Sequence, residues 1–274
     1  MTRSRLIIIT DLDGSLLDQE TYSYEATLPV IQRLLSLEIP LILCSSKTRS
    51  EIVRLWQGMK LRDPFIVENG GAIYCPARYF PLPPRGFKPQ GSFGALELGT
   101  RVSKLRQVLM ETARQCDARV RSFGSMGVDE VTALTGLARD QAALALKREY
   151  DEPFLVEGGD RERLFRALIG KGFTVTHGGR FFHLMGGHDK GKTVKILLDL
   201  YRRRDPKIMS VGLGNSANDF PLLSQVDRPI LIRKPDGTWD REVAEKIPFA
   251  ERTQAIGPNG WREAIEKILG DTEP

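Results

Sequence analysis

At 274 residues the chain has room for about two domains, and for a core that needs neither disulfides nor a metal to fold. Its 41% hydrophobic and 27% charged content excludes wholesale disorder, and no apolar run approaches the roughly 18 residues of a membrane span. Forty Lys+Arg against 35 Asp+Glu leave a formal charge of +5, which suits an anionic ligand without requiring nucleic acid. Cys44, Cys75 and Cys116 form no CxxC pair and read as buried thiols of a reducing compartment. With no secretory h-region ahead of Asp11, the expectation is a cytoplasmic protein.

In chain order, residues 6–10 are a short apolar run that reads as a buried strand. Leu28, Ile31 and Leu35 make a helix face, 39–44 is a second buried strand, about 49–59 a helix, and 65–67 a third strand. This rhythm predicts a parallel sheet with helices on both faces. It breaks where Pro76, Pro81, Pro83, Pro84 and Pro89 fall with Gly86 and Gly91, a loop composition. Helices are expected over 101–116 and 139–150, the second with Ala142, Ala145, Leu146 and Tyr150 on one face and a charged close at 148–153. Strands follow at 153–156, 173–177 and 180–185, the last turning Arg180 and Phe182 one way and Phe181 and His183 the other. Beyond Gly191, a helix lined by Val194, Leu197, Leu198 and Tyr201 precedes strands at 208–211 and 229–232. The expected fold is α/β: a doubly wound, mostly parallel core of 1–85 and 188–274, with an α+β cap, 86–187, inserted.

The strongest local signal is Asp11-Leu12-Asp13-Gly14-Ser15 at the end of the first strand. Residues two apart in extended chain point the same way, so Asp11 and Asp13 can share a site. Gly14 permits a sharp turn that brings N–H groups to an anion. Two carboxylates can divide phosphoryl transfer, one attacking phosphorus and one handling the leaving-group proton. A calcium EF-hand is disfavoured because position 12 of its loop would be Tyr22. After strand 208–211, Gly212–Asp219 offers Asn215, Asn218 and Asp219 as oxygen donors for a hard cation, or as helix caps. Ser45-Ser46-Lys47-Thr48 after the second strand suits phosphate at a helix N-terminus, though serine there is also an ordinary cap.

Gly186–Thr193 matches the P-loop pattern in full, which sets a nucleotide-binding protein against the reading of two carboxylates in phosphoryl transfer. The next strand ends Val211-Gly212-Leu213 without the carboxylate that a P-loop ATPase needs, so Lys190 has a simpler use as a point charge on phosphate. His177, His183 and His188 have no zinc-ligand spacing. Aromatic residues do not interleave with a basic stripe, so nucleic acid is not expected as a partner.

Taken together, DxDGS at 11–15, Ser45, Lys190 before Gly191 and Gly214–Asp219 resemble the haloacid dehalogenase superfamily of phosphatases, in its Cof-type, C2-capped branch. SSKTR at 45–49, VENGGAIY at 67–74, LTGLA at 134–138, REYDEP at 148–153, GGRFFH at 178–183 and GLGNSANDFPLL at 212–223 are similar to its mannosyl-3-phosphoglycerate phosphatase family. The resemblance implies Asp11 as nucleophile and Asp13 as acid and base. Gly14, Ser45, Lys190 and Asn218 would then meet phosphate, and Asp11, Asp13, Asn215 and Asp219 would hold Mg²⁺. Asn215 stands where the family pattern has an acidic residue. The implied substrate is a phosphorylated sugar or glycosyl-phosphoglycerate, contacted by Ser46, Lys47, Glu68, Asn69, Gly70, Arg148, Arg180 and His183. Mannosyl-3-phosphoglycerate comes first and the glucosyl analogue second; the sequence leaves oligomeric state open.

Overall fold

The computed structural model describes residues 6–81, 84–178 and 180–272; Pro83 of the expected loop and Gly179 of the GGRFFH motif lie outside the described residues. The chain opens with β1 (Leu6–Thr10), α1 (Leu28–Ser36), β2 (Leu41–Cys44), α2 (Arg49–Gly58), β3 (Phe65–Val67), β4 (Ala72–Pro76), β5 (Lys88–Gln90) and β6 (Phe93–Glu97). Then come α3 (Val102–Gln115), β7 (Arg119–Ser122), α4 (Val128–Thr135), α5 (Arg139–Ala145), β8 (Asp151–Gly158), α6 (Arg161–Gly170), β9 (Thr174–Gly178) and β10 (Phe181–Met185). It closes with α7 (Lys190–Arg204), β11 (Met209–Gly214), α8 (Phe220–Leu223), β12 (Arg228–Arg233), α9 (Arg241–Lys246), β13 (Glu251–Ile256) and α10 (Asn259–Thr272).

Nine strands form one sheet in the order β13-β12-β11-β1-β2-β3-β4-β6-β5, parallel from β13 to β3 and antiparallel from there on. Alternation along β1 feeds two cores. Leu6 and Ile8 join Ile31 and Leu34 of α1 and Trp261 and Ile265 of α10, while Ile7 and Ile9 join Leu197 and Leu198 of α7 and Leu222 of α8. Such a strand must be apolar at every position, which is why 6–10 reads as one run. The second sheet, β7-β8-β10-β9, is antiparallel. α3 and α6 pack with Phe154, Phe182 and Leu184, while α4 and α5 pack with Phe123 and Phe181. No helix among the described residues is long and apolar enough to cross a membrane.

Two expectations are corrected. Residues 86–97, expected in the insertion, extend the large sheet, because β6 pairs with β4 and β5 with β6. Pro89 is tolerated there because β5 is an edge strand. The helix expected to run to 150 stops at Ala145, and Asp151 already opens β8. The Glu68 carboxylate accepts the N–H groups of Glu149, Tyr150 and Asp151, drawing that segment out of the helix. Tyr150 is accordingly buried in the core of the large sheet, not on the face of α5.

From β1 the chain steps outward through β2 and β3 on one side, and through β11, β12 and β13 on the other. β1 is thus the switch point, and the crevice beyond its carboxyl end is where such sheets bind ligands. Trp261, fully buried, donates from Nε1 to Thr10 Oγ1 at 3.0 Å, and that hydroxyl donates to the Asp11 carbonyl at 2.7 Å. Trp261→Ala is expected to cost about 3–5 kcal/mol by urea unfolding. Trp261→Phe, which removes the hydrogen bond but keeps a ring, should cost about 1 kcal/mol from the lost bond plus a smaller packing loss. Equal costs would show that the hydrogen bond, not ring burial, dominates.

Candidate active site

Asp11 continues β1 by donating its N–H to the Leu213 carbonyl at 2.9 Å. Leu12 turns into the core while Asp11 and Asp13 face a cavity of about 730 Å³. Gly14 has a left-handed backbone (φ 71°), and a Cβ there would collide with the Gln19 and Asn215 side chains, so only glycine turns the chain at this point. The large sheet lines the cavity with Asp11, Asp13, Ser46, Asn69, Asn215 and Asn218. The other wall comes from the smaller sheet and its helices, through Thr135, Thr176, Arg180 and His183.

Behind Asp11, Lys190 opens α7 with its ammonium almost wholly buried. Its Nζ donates to Asp11 Oδ1 at 2.7 Å and to Asp219 Oδ1 at 2.6 Å. Burial works against that charge, but the two carboxylates outweigh it and hold the ammonium above its ordinary range. Burial, then the Asp219 charge, pushes the Asp11 carboxyl up to about 7 against the pull of Lys190. Asp219 Oδ2 accepts the N–H groups of Asn215 at 3.0 Å and Ser216 at 3.1 Å, so both its oxygens are engaged. The Asn215 amide donates to the Asp13 carbonyl at 3.1 Å, and Asn218 Oδ1 accepts from Ser216 Oγ at 2.6 Å.

Ser45 is buried and does not line the cavity; its Oγ accepts the Lys47 N–H at 3.2 Å. Lys47 Nζ reaches Asp13 Oδ1 at 2.8 Å and lies 4.7 Å from the centre of the Tyr22 ring. Burial disfavours its charge, and Asp13 and Glu51 more than compensate. Arg180 lines the cavity and donates to the Leu134 carbonyl. His183 lines it too, with Nδ1 against the buried Asp151 carboxylate at 2.8 Å.

Four residues expected to meet substrate do not line the cavity: Lys47, paired with Asp13, and Glu68, Arg148 and Gly70, which are occupied elsewhere. Glu68 is spent on the 149–151 amides, and burial pushes its carboxyl up to about 7, with Arg148 pulling the other way. Arg148 donates to the Ser46 carbonyl at 2.7 Å and the Ala145 carbonyl at 3.0 Å. Gly70 takes the Thr193 hydroxyl on its carbonyl at 2.9 Å, and a Cβ there would strike the backbone of Asp189. The P-loop-like segment holds no phosphate cradle around Lys192. That side chain is exposed and donates to the Gly187 carbonyl at 2.6 Å, while Asp189 caps α7 through the Lys192 N–H. The strand before it, β10, is antiparallel to both neighbours, not part of a parallel sheet.

Sequence reading passed over Gln19, Tyr22, Thr176, His177, Lys234 and Asp236, all on the cavity wall. The last two sit on a turn after β12, where Lys234 accepts the Gly237 N–H on its carbonyl at 2.9 Å. A lysine and an aspartate just past a strand at the carboxyl edge of the sheet were the available signal.

Oxygen donors fit for a divalent cation are the Asp11 carboxylate, the Asp13 carbonyl and the Asn215 amide. Among the described residues no group of three or more His, Cys, Asp or Glu side chains could hold a metal, so the donor set is mixed. All-oxygen chemistry of this kind suits Mg²⁺.

A family model for haloacid dehalogenase-like hydrolase matches residues 8–79. The chain is 38% identical to the glucosyl-3-phosphoglycerate/mannosyl-3-phosphoglycerate phosphatase of Methanococcoides burtonii, over 96% of this chain and 97% of that one. It is 38% identical to the mannosyl-3-phosphoglycerate phosphatase of Pyrococcus furiosus, over 88% and 95%. The crystal structure of a haloacid dehalogenase-like hydrolase from Bacteroides thetaiotaomicron shares the fold, with TM-score 0.66 at 17% identity over 96% of this chain and 98% of that one. The chain belongs to the haloacid dehalogenase-like hydrolases and is a phosphatase of that family.

Proposed function

We propose that this phosphatase hydrolyses a glycosyl-3-phosphoglycerate, mannosyl-3-phosphoglycerate first, to the glycosylglycerate and phosphate. The observation that carries the reading is Asp11 at the floor of the cavity with one oxygen held by Lys190 and Asp13 beside it. The names of the relatives supply the substrate. Those of the Methanococcoides burtonii and Persephonella marina proteins include both sugars, which makes the glucosyl ester the second reading.

Asp11 attacks phosphorus through its oxygen that Lys190 leaves free. The P–O bond to the glycerate breaks as an aspartyl-phosphate forms, and Asp13 gives its proton to the departing alkoxide. Asp13, now a carboxylate, takes a proton from water, whose oxygen attacks the aspartyl-phosphate, releases phosphate and restores Asp11. Lys190, Ser45 and Asn218 hold phosphate oxygens, whereas the Gly14 N–H, expected there too, is spent on the Leu17 carbonyl at 3.1 Å. Asp11, the Asp13 carbonyl and Asn215 would hold Mg²⁺, with Asp219 acting on it through the loop it ties down. When bound, that ion neutralises phosphate charge and fixes its orientation. Residues 102–185 form the cap that selects substrate through Arg180 and His183, with Ser46 and Asn69 facing it from below and Lys47 holding Asp13. Glu68, Gly70 and Arg148 join the layers.

A phosphate-release screen over sugar phosphates and glycosyl-3-phosphoglycerates, with and without Mg²⁺, tests the reading. Mannosyl-3-phosphoglycerate should show the highest kcat/KM, and a larger value on a substrate lacking glycerate would overturn it. Asp11→Asn should abolish turnover, and Asp13→Asn should lower it about 10²–10⁴-fold. Near-normal hydrolysis by folded Asp11→Asn would exclude the aspartyl-phosphate route.

Lys190→Ala should lose activity and also about 3–5 kcal/mol of stability, because it leaves two buried carboxylates unpaired. Lys192→Ala, at an exposed position, should change neither. A larger activity loss for Lys192→Ala in parallel assays would restore the P-loop reading.

Asn215→Asp should lower the Mg²⁺ concentration needed for half-maximal rate, since a full charge replaces a dipole on a hard cation. An unchanged Mg²⁺ titration would show that residue 215 does not reach the metal.

A further inference from the structure

His183 is the cavity residue whose orientation is most fully determined from behind. It sits on β10, and Asp151 lies at the start of the neighbouring antiparallel strand β8. Both Asp151 oxygens lie against His183 Nδ1, at 2.8 and 3.1 Å. Asp151 itself is fully buried and held from three directions. Its N–H donates to Glu68 Oε2 at 2.8 Å, its Oδ2 accepts from Asn69 Nδ2 at 3.4 Å, and Arg148 Nη1 lies 3.8 Å from the same oxygen. Glu68 and Asn69 belong to the turn that ends β3, where both take a left-handed backbone. The ring of a cap residue is therefore set by groups anchored in the large sheet.

Burial opposes the Asp151 charge, but His183 and then Arg148 outweigh it and hold the carboxyl below the ordinary range. An ionised carboxylate only accepts, so Nδ1 must carry the proton. That leaves Nε2 as the ring nitrogen that can meet a ligand. Other side chains on this wall, Arg180 above all, supply donors.

We propose that Asp151 is a positioning residue that fixes the His183 ring so that Nε2 hydrogen-bonds a hydroxyl on the sugar of the substrate. The proposal rests on the glycosyl-phosphoglycerate reading and adds to it the group that reads the sugar. Sugar hydroxyls suit such a site because they both donate and accept, and a buried ring nitrogen left unpaired penalises any substrate lacking the hydroxyl. Asp151→Asn keeps size and shape but removes the carboxylate that holds the ring through its Nδ1–H.

The experiment compares mannosyl-3-phosphoglycerate with 3-phosphoglycerate, which lacks the sugar, in wild type, His183→Phe, His183→Gln, Asp151→Asn and the His183→Phe/Asp151→Asn double variant. His183→Phe and Asp151→Asn should each lower kcat/KM on the sugar-bearing ester about 10- to 100-fold more than on 3-phosphoglycerate, chiefly through KM. His183→Gln, which can still hydrogen-bond, should recover part of the loss, and the double variant should be no worse than His183→Phe alone. Equal losses on both esters, or additive losses in the double variant, would overturn the proposal. If Asp151→Asn does not fold, the His183→Phe and His183→Gln pair decides. If wild type turns over other sugar phosphates but not mannosyl-3-phosphoglycerate, the substrate reading fails by itself. His183 and Asp151 are then judged on the sugar phosphate that is hydrolysed, against a sugar-free phosphate ester.

Discussion

The site is organised by one buried ammonium shared between two carboxylates. Taking Lys190, Asp11 and Asp219 out of water is costly for each, and only their mutual contact makes the burial tolerable. That requirement fixes three parts of the chain at once: the end of β1, the loop after β11 and the first turn of α7. Asp219 extends the constraint through Oδ2, which gathers the 215–216 backbone into the turn that places Asn215 beside the Asp13 carbonyl. The group is net negative once Asp11 is ionised to attack, and its raised carboxyl, up to about 7, reflects that crowding. Added positive charge eases the approach of a phosphate dianion, and this is the physical argument for a divalent cation at these oxygen donors.

A second polar cluster sets how the two layers meet. Glu68 reaches from the end of β3 to three consecutive amides at the entry to β8, Arg148 reaches back to the Ser46 carbonyl, and Thr48 donates to the Leu144 carbonyl at 3.0 Å. His188 Nε2 lies 3.2 Å from the Glu68 carbonyl. These contacts cross between segments some 80 to 120 residues apart in sequence. Buried hydrogen-bonded networks of this type specify one arrangement because any other leaves polar groups unpaired. The wall carrying Arg180 and His183 is thereby held over the ends of β1 and β3. The two walls of the cavity come from different sheets, yet they share one polar joint.

What the sequence disclosed follows from which interactions are local. β1 through β3 and their helices were legible because strands buried on both faces are apolar at every position and their helices keep a 3.6 period. β5 and β6 were hidden because β5, an edge strand, holds Pro89 and exposed residues, and β6 beside it fully buries only Ala95, so they read as loop. The end of α5 was misread because Ala142, Ala145 and Leu146 do keep helical spacing, and what pulls Tyr150 away is a carboxylate 82 residues earlier. The same distinction runs through the site. Asp11, Asp13 and Gly14 announce themselves by spacing on one strand end, and Asn215 to Asp219 by theirs on another. Glu68 and Arg148 lie in segments of equally distinctive sequence, yet their work is to join layers. Motif sequence alone does not separate a residue that meets substrate from one that supports the residue that does.

The P-loop-like segment shows why the backbone decides between equal patterns. Lys190 and Lys192 both follow the glycine pair, and either could be the phosphate lysine on composition. Once α7 begins at Lys190, two positions along a helix are separated by about 200° around its axis, so the two side chains leave on opposite sides. Asp189 fixes that starting point by capping through the Lys192 N–H. Thr193 fixes the helix's rotation, because its hydroxyl donates to the Gly70 carbonyl, and Gly191 packs where a Cβ would strike the Pro221 carbonyl. With those constraints Lys190 must enter the interior and Lys192 must leave it. A phosphate-binding loop of the P-loop kind needs the second lysine inward and a cradle of backbone N–H groups ahead of it. Here the Gly187 carbonyl faces Lys192 instead, and an acceptor in that place repels phosphate. The eight residues match one motif in letters, while the helix phase gives them to the other site.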